Sequence, residues 1–220
     1  DVNIGLANQF ATFAAASGID IYKVIDACNS QPFSHLHRPG IAVGGHCIPV
    51  YPRLYLYTDP DATIVRAARQ ANMAMPAYAV DLLTEAAGDL SGRTVAVLGA
   101  SYRGRVKETA FSGVFPTVAR LAASGALPVV HDPLFSDAEL IELGLVPYHL
   151  GEPADAVIIQ ADHPEYSSVG AADFPGATVL LDGRRVSDLA RWEGVERLVI
   201  GEARPESPRG SQRGDVPSTR

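Results

Sequence analysis

The sequence predicts an α/β chain in which an all-helical unit, residues 1–91, precedes a doubly wound, mostly parallel sheet, residues 92–203. Two observations carry that expectation. Apolar residues recur at helical spacing up to Leu90, and after Ser91-Gly92-Arg93 the pattern changes to short, buried-type strands alternating with helices. Such alternation implies βαβ units and a parallel sheet, whose ligands sit beyond the carboxyl ends of the strands. The remaining stretch, 204–220, is Pro, Ser, Gly and Arg with almost no apolar side chains, and is expected to be disordered.

Leu6, Phe10 and Phe13 place a first helix over Ile4 to Ala16, which Gly18 can close. Asp20 is suited to cap a second helix with Ile21, Val24, Ile25 and Cys28 on one face. Asn29 to Tyr57 holds Pro32, Pro39, Gly40, Gly44, Gly45, Pro49 and Pro52, a density that predicts a shaped loop. A long, Ala-rich helix over 62–90 follows Asp59-Pro60-Asp61, with Pro76 expected to kink or divide it. In the second unit Thr94 to Gly99, Leu127 to Asp132, Ala156 to Gln160 and Thr178 to Asp182 read as strands. Shorter strands are expected at Leu145 to Tyr148 and Arg197 to Ile200, and helices at Val114 to Ala123 and Ser136 to Leu143.

Composition narrows the function classes. The chain has 220 residues, 47% of them hydrophobic, and a net charge of −7, which argues against a nucleic-acid partner. Cys28 and Cys47 cannot build a disulfide framework, so a reducing compartment is expected. No apolar run reaches the roughly 18 residues of a membrane span. Asp1-Val2-Asn3-Ile4 carries no signal pattern, so a cytoplasmic location without a membrane partner is expected. The opening also lacks an initiator Met, which suggests a piece of a longer chain.

Gly44-Gly45-His46-Cys47-Ile48-Pro49 is the most unusual run. Paired glycines let backbone approach a ligand, and a cysteine fixed beside them can serve as a nucleophile toward a carbonyl. A tight turn with an inert thiol is the plainer alternative, and Cys28, on an apolar helix face, is expected to be structural. His35, His37, His46 and Cys47 are metal-ligand types without a zinc spacing; loop hydrogen bonding is the expected role, with no metal. His46 is placed to influence the thiol next to it. Leu98-Gly99-Ala100-Ser101-Tyr102-Arg103-Gly104 has the strand-then-glycine order of a phosphate site, but G-x-G-x-x-G is absent. Arg103, Arg105 and Lys107 can grip phosphates there, or form a solvated basic loop. Asp132 can accept from a ribose hydroxyl or cap its turn.

Together these residues resemble the UDP-glucose/GDP-mannose dehydrogenase family of nucleotide-sugar 6-dehydrogenases. The resemblance begins at Asp1-Val2-Asn3-Ile4-Gly5-Leu6-Ala7-Asn8, is strongest from Arg38-Pro39-Gly40 through Val43-Gly44-Gly45-His46-Cys47-Ile48-Pro49, and covers about residues 1–203. It continues at Leu98-Gly99 with Tyr102-Arg103, at Glu108 and Ser112, and at Asp162-His163-Pro164-Glu165-Tyr166. The resemblance implies a helical dimerisation domain followed by a Rossmann-like nucleotide-sugar domain, and a homodimer. It implies NAD-dependent oxidation of a UDP-sugar C6 alcohol to a carboxylate, through a thiohemiacetal and a thioester on Cys47, for polysaccharide precursors. It makes Cys47 the nucleophile and Arg38, Gly44, Gly45, His46, Tyr102 and Arg103 substrate-binding residues, with Arg38 reaching a substrate and the two glycines packed against the hexose. His46 with Pro39-Gly40 looks most like the branch acting on UDP-N-acetylhexosamines, especially UDP-N-acetylmannosamine.

The sequence also departs from the family pattern. The N-terminal cofactor domain, with its G-x-G-x-x-G, and the catalytic Lys and Asn have no counterpart, so NAD is expected to be bound mainly by a domain absent from this chain, and the chain alone is expected to be inactive. Tyr51 stands where an Asp usually follows the cysteine, Ala110 where an Arg usually stands, and Gln9 where a Glu follows the first-helix Asn. A non-catalytic nucleotide-sugar-binding or dimerisation module is the rival reading.

Overall fold

The computed structural model describes residues 1–203; the expected disordered stretch 204–220 lies outside the described residues. Helix α1, Val2–Ala16, buries Gly5, Ala7, Asn8, Ala11 and Ala14, and packs on α4, Thr63–Ala87. Its inward face is small for a steric reason: a β carbon on Gly5 would fall 2.9 Å from the Ala68 backbone of α4. Leu6, Phe10 and Phe13, which define the helical period, point outward and are exposed. Helix α2, Ile21–Asn29, starts as expected at Asp20, whose carboxylate accepts from Tyr22 N at 2.9 Å.

The loop expected over Asn29 to Tyr57 needs correction. It is irregular only as far as His46; Cys47–Thr58 form a third helix, α3. Pro49 falls in its first turn, where a missing N–H costs nothing. Pro52 lies inside it and cannot bond to the Ile48 carbonyl one turn back. Arg69 of α4 supplies the missing donor, its Nη1 lying 3.4 Å from Ile48 O. Pro76 likewise does not divide α4, which runs unbroken from Thr63 to Ala87.

After the Gly92 turn comes the sheet: β1, Thr94–Leu98, β2, Leu127–His131, β3, Ala156–Ile159, β4, Val179–Asp182, and β5, Glu196–Val199. All pairings are parallel and the order is β2-β1-β3-β4-β5. Chain order thus reverses between β1 and β3, the switch point beside which ligands of open sheets bind. Helices α5, Val114–Ala123, and α6, Asp137–Glu142, connect the first three strands. Leu145 to Tyr148 is not a strand: it makes a single bridge, Val130 with Pro147, at the edge of β2.

Strand residues alternate between two cores. Val95, Val97, Ile158 and Leu181 join Met75, Ala79, Val80 and Leu83 of α4 and Leu121 of α5, in a core continuous with α1 and α2. Leu98, Val157, Ile159 and Leu180 face the opposite way, onto Tyr148, Tyr166, Phe174 and Trp192. The Phe174 ring stacks between Tyr148, at 5.8 Å, and Trp192, at 5.4 Å. The connections from β3 to β5 carry short 3₁₀ turns, so aromatic rings do on this face what helices do on the other. Among the described residues no helix is long and apolar enough to cross a membrane.

Candidate functional site

Residues 40–45 run across the carboxyl ends of the strands and are fixed at nearly every step. The Asn8 side chain of α1 accepts from Gly40 N at 3.0 Å. Ile41 is buried against Gly183, just beyond β4, and Ala42 lies against Gly113 at the head of α5. A β carbon on Gly44 would sit 2.4 Å from that of Tyr102 and 2.9 Å from Phe111 O. Gly45, at φ +83°, donates its N–H to Ala110 O at 2.7 Å. The glycines of the Cys47 run therefore let the strap lie against the turn that follows β1, and protein atoms alone account for them.

Where the strap meets that turn a cavity of about 190 Å³ opens, lined by Arg38, Gly44, Tyr102 and Arg103 of the expected substrate residues. Gly45 and His46 are not among its lining residues. A third guanidinium, Arg184 after β4, lines it too and packs against Gly40, while no Asp or Glu does. Three guanidiniums on one wall suit an anion, and their planar donors match phosphate oxygens, although the Asp162 carboxylate offsets part of the Arg184 charge. Arg184 was not singled out from the sequence: it lies far from the basic run 103–107, and only the position of β4 brings it near. Its turn is set by buried Asp182, which accepts from the backbone N–H of Arg184, Val186 and Ser187 at 2.7 to 2.9 Å.

Cys47 is the first residue of α3, exposed and unpaired. It lines a separate cleft of about 540 Å³ with Tyr51 and Tyr55, one and two turns further along the same helix face. Ile48 lines both this cleft and the arginine cavity, so the two adjoin. Tyr51, which stands where the family usually has an Asp, lines the same cleft as the thiol.

His46 does not stand alone. Its Nε2 lies 3.4 Å from Glu108 Oε2, linking the Cys47 loop to the segment after β1. The Ala110 backbone N–H, together with the His46 ring, holds the Glu108 carboxyl below its ordinary value. His35 and His37 meet edge to face at 5.5 Å, and among the described residues no three His, Cys, Asp or Glu side chains converge as a metal site would need. Asp132 is 3% exposed and accepts from Ser101 N and Leu134 N, both at 2.9 Å, so it caps its turn and is not open to a ribose.

NAD does not fit the turn after β1. Ser101 N is taken by Asp132, a β carbon on Gly99 would fall 2.4 Å from that of Ala161, and α5 begins only at Val114. No free helix N-terminus is left there for a pyrophosphate.

Two sequence models match the chain: the UDP-glucose/GDP-mannose dehydrogenase family central domain over residues 1–74, and that family's UDP binding domain over residues 96–189. The UDP-N-acetyl-D-mannosamine dehydrogenase of Pyrococcus horikoshii is 36% identical over 194 residues, covering 84% of this chain and 45% of that protein. A solved structure of the UDP-D-ManNAc dehydrogenase from the same organism superposes with a TM-score of 0.75 at 32% identity, over 91% of this chain and 48% of that one. A UDP-glucose dehydrogenase structure from Pyrobaculum islandicum gives 0.79 at 27% identity, over 92% and 48%. The chain thus spans about half the length of the curated relatives it matches.

Proposed function

Since the chain belongs to the UDP-glucose/GDP-mannose dehydrogenase family, whose members are oxidoreductases, we propose that it carries the thiol and the sugar-nucleotide site of a UDP-sugar 6-dehydrogenase. The supporting observation is the cavity lined by Arg38, Arg103 and Arg184, which shares Ile48 with the cleft that Cys47 lines. A diphosphate held by the three guanidiniums leaves the hexose to extend past Ile48 toward the thiol. A UDP-N-acetylhexosamine, above all UDP-N-acetylmannosamine, is the sugar nucleotide the relatives favour.

In this reading Cys47 adds to the C6 aldehyde as a thiohemiacetal, carries the carboxyl level as a thioester, and is freed when water hydrolyses that ester. The oxidant in this reading is NAD, for which the turn after β1 offers no site, and it is taken to be bound mainly by a domain outside this chain. His46, steered by Glu108, borders the reacting thiol. Two copies pair through the outer face of α1, where Leu6, Phe10 and Phe13 are 42%, 39% and 66% exposed. In this reading the product is an acidic sugar nucleotide, a precursor for polysaccharides.

Calorimetric titration with UDP tests the reading. Saturable binding is expected, weakened about tenfold or more in Arg103→Ala and in Arg184→Ala, the cost of a charged hydrogen bond. No binding of UDP to the unaltered chain would overturn it. The 220-residue chain alone is expected to reduce no NAD with any UDP-sugar, and turnover would refute the assignment of NAD to other residues.

A further inference from the structure

Asp162-His163, just beyond β3, is the one family-like run that the site above leaves without a role. We propose that Asp162 and His163 are positioning residues that clamp the Arg103 turn and so aim its guanidinium at the cavity. The inference rests on the UDP-site reading and extends it to residues that touch no ligand.

Four observations carry it. The turn lies flat on the 162–163 backbone: a β carbon on Gly104 would fall 2.1 Å from Asp162 O and 2.7 Å from His163 N. The two N–H groups that follow Arg103 are then taken by the two side chains in succession. Gly104 N donates to Asp162 Oδ1 at 2.8 Å, and Arg105 N donates to His163 Nδ1 at 3.4 Å. Arg105 holds φ +64° while doing so, a left-handed conformation uncommon for a side chain of its size. His163 is itself immobilised, 1% exposed, with Nε2 at 3.1 Å from Asp132 Oδ2 and the Tyr166 ring edge-on at 5.5 Å.

The hydrogen-bond logic fixes the imidazole. Arg105 N can only donate, so Nδ1 must accept, the ring proton sits on Nε2, and Asp132 receives it. Asp132 also accepts from Ser101 N. Ser101 and Arg105 thus flank Tyr102-Arg103, and both are tied to one Asp132–His163 pair across the switch point between β1 and β3. A flexible arginine would lose affinity to its own freedom; a bracketed backbone removes part of that loss beforehand.

The test uses the geometry of amides. Asparagine at 163 reaches about as far as Nδ1 and can accept from Arg105 N, whereas glutamine reaches as far as Nε2 and keeps only the Asp132 bond. His163→Asn is expected to bind UDP within about threefold of the unaltered chain, and His163→Gln to lose about tenfold. Adding Arg103→Ala to His163→Gln is expected to cost little more, because the clamp acts through that arginine. Unchanged binding in His163→Gln, or losses that simply add, would overturn the proposal. Hydrogen exchange at Arg105 N reads the clamp without ligand. Protection that disappears in His163→Gln but persists in His163→Asn is expected, and an unprotected Arg105 N in the unaltered chain overturns the clamp. If UDP fails to bind while Arg105 N is protected in this pattern, the UDP reading falls and the clamp stands.

Discussion

Gly44 shows how tightly the site is drawn. Its missing β carbon would meet Tyr102 and the carbonyls of Phe111 and Ala110, two of the three being backbone that cannot swing aside. Gly44→Ala is therefore expected to destabilise the fold by about 1–3 kcal/mol, the usual range for overpacking, and urea unfolding reads it. A second expectation concerns acid. Burial lowers the His131 imidazole below its ordinary 6.5, more than neighbouring Asp132 can offset. As pH falls below about 6.5 the unfolded chain takes up a proton that the folded chain resists, so stability declines until the folded value is passed. Unfolding midpoints at pH 7.5 and 5.5 are expected to differ less in His131→Gln. The local motif singled out Cys47, Arg38, Tyr102 and Arg103 as candidates, and the last three line one cavity. It could not show that Asp132 caps a turn, since its donors come from residues 101, 134 and 163 and meet only once the sheet forms.

Helix α3 depends on a residue of another helix. Arg69 is almost wholly buried, donates to the Ile48 carbonyl that Pro52 leaves free, and pairs with the Asp1 carboxylate at 3.2 Å. Arg69→Leu removes the donor to Ile48 and the cation beside the buried Asp1 carboxylate, which keeps only the Asn72 amide at 2.6 Å, an expected loss of about 3 kcal/mol. Circular dichroism of the variant is expected to lose helix signal through fraying of α3. This dependence is also why the sequence read as loop. Pro49 and Pro52 are local breakers, and the donor that rescues the helix comes from α4. Strands β1, β3 and β4 had no such problem, because runs of Val, Ile, Leu and Ala between turn residues announce themselves. Pro76 does not divide α4, which stays continuous where it packs between α1 and the sheet.

For the whole molecule, the outward stripe on α1 predicts self-association. Phe13→Glu puts a charge on the most exposed of its rings, and sedimentation is expected to shift from dimer toward monomer while the UDP affinity of each copy persists. The change of period at Ser91-Gly92-Arg93 falls where α4 gives way to β1, but it does not reveal how the two parts pack. Met75, Ala79, Val80 and Leu83 precede it in the chain and yet form the roof of the sheet that follows. The peptide bonds around Gly92 consequently hold together two parts that already grip each other. Cut there, the pieces should stay mated, and made apart they should find each other and fold by complementation, the first supplying the lid that the second lacks.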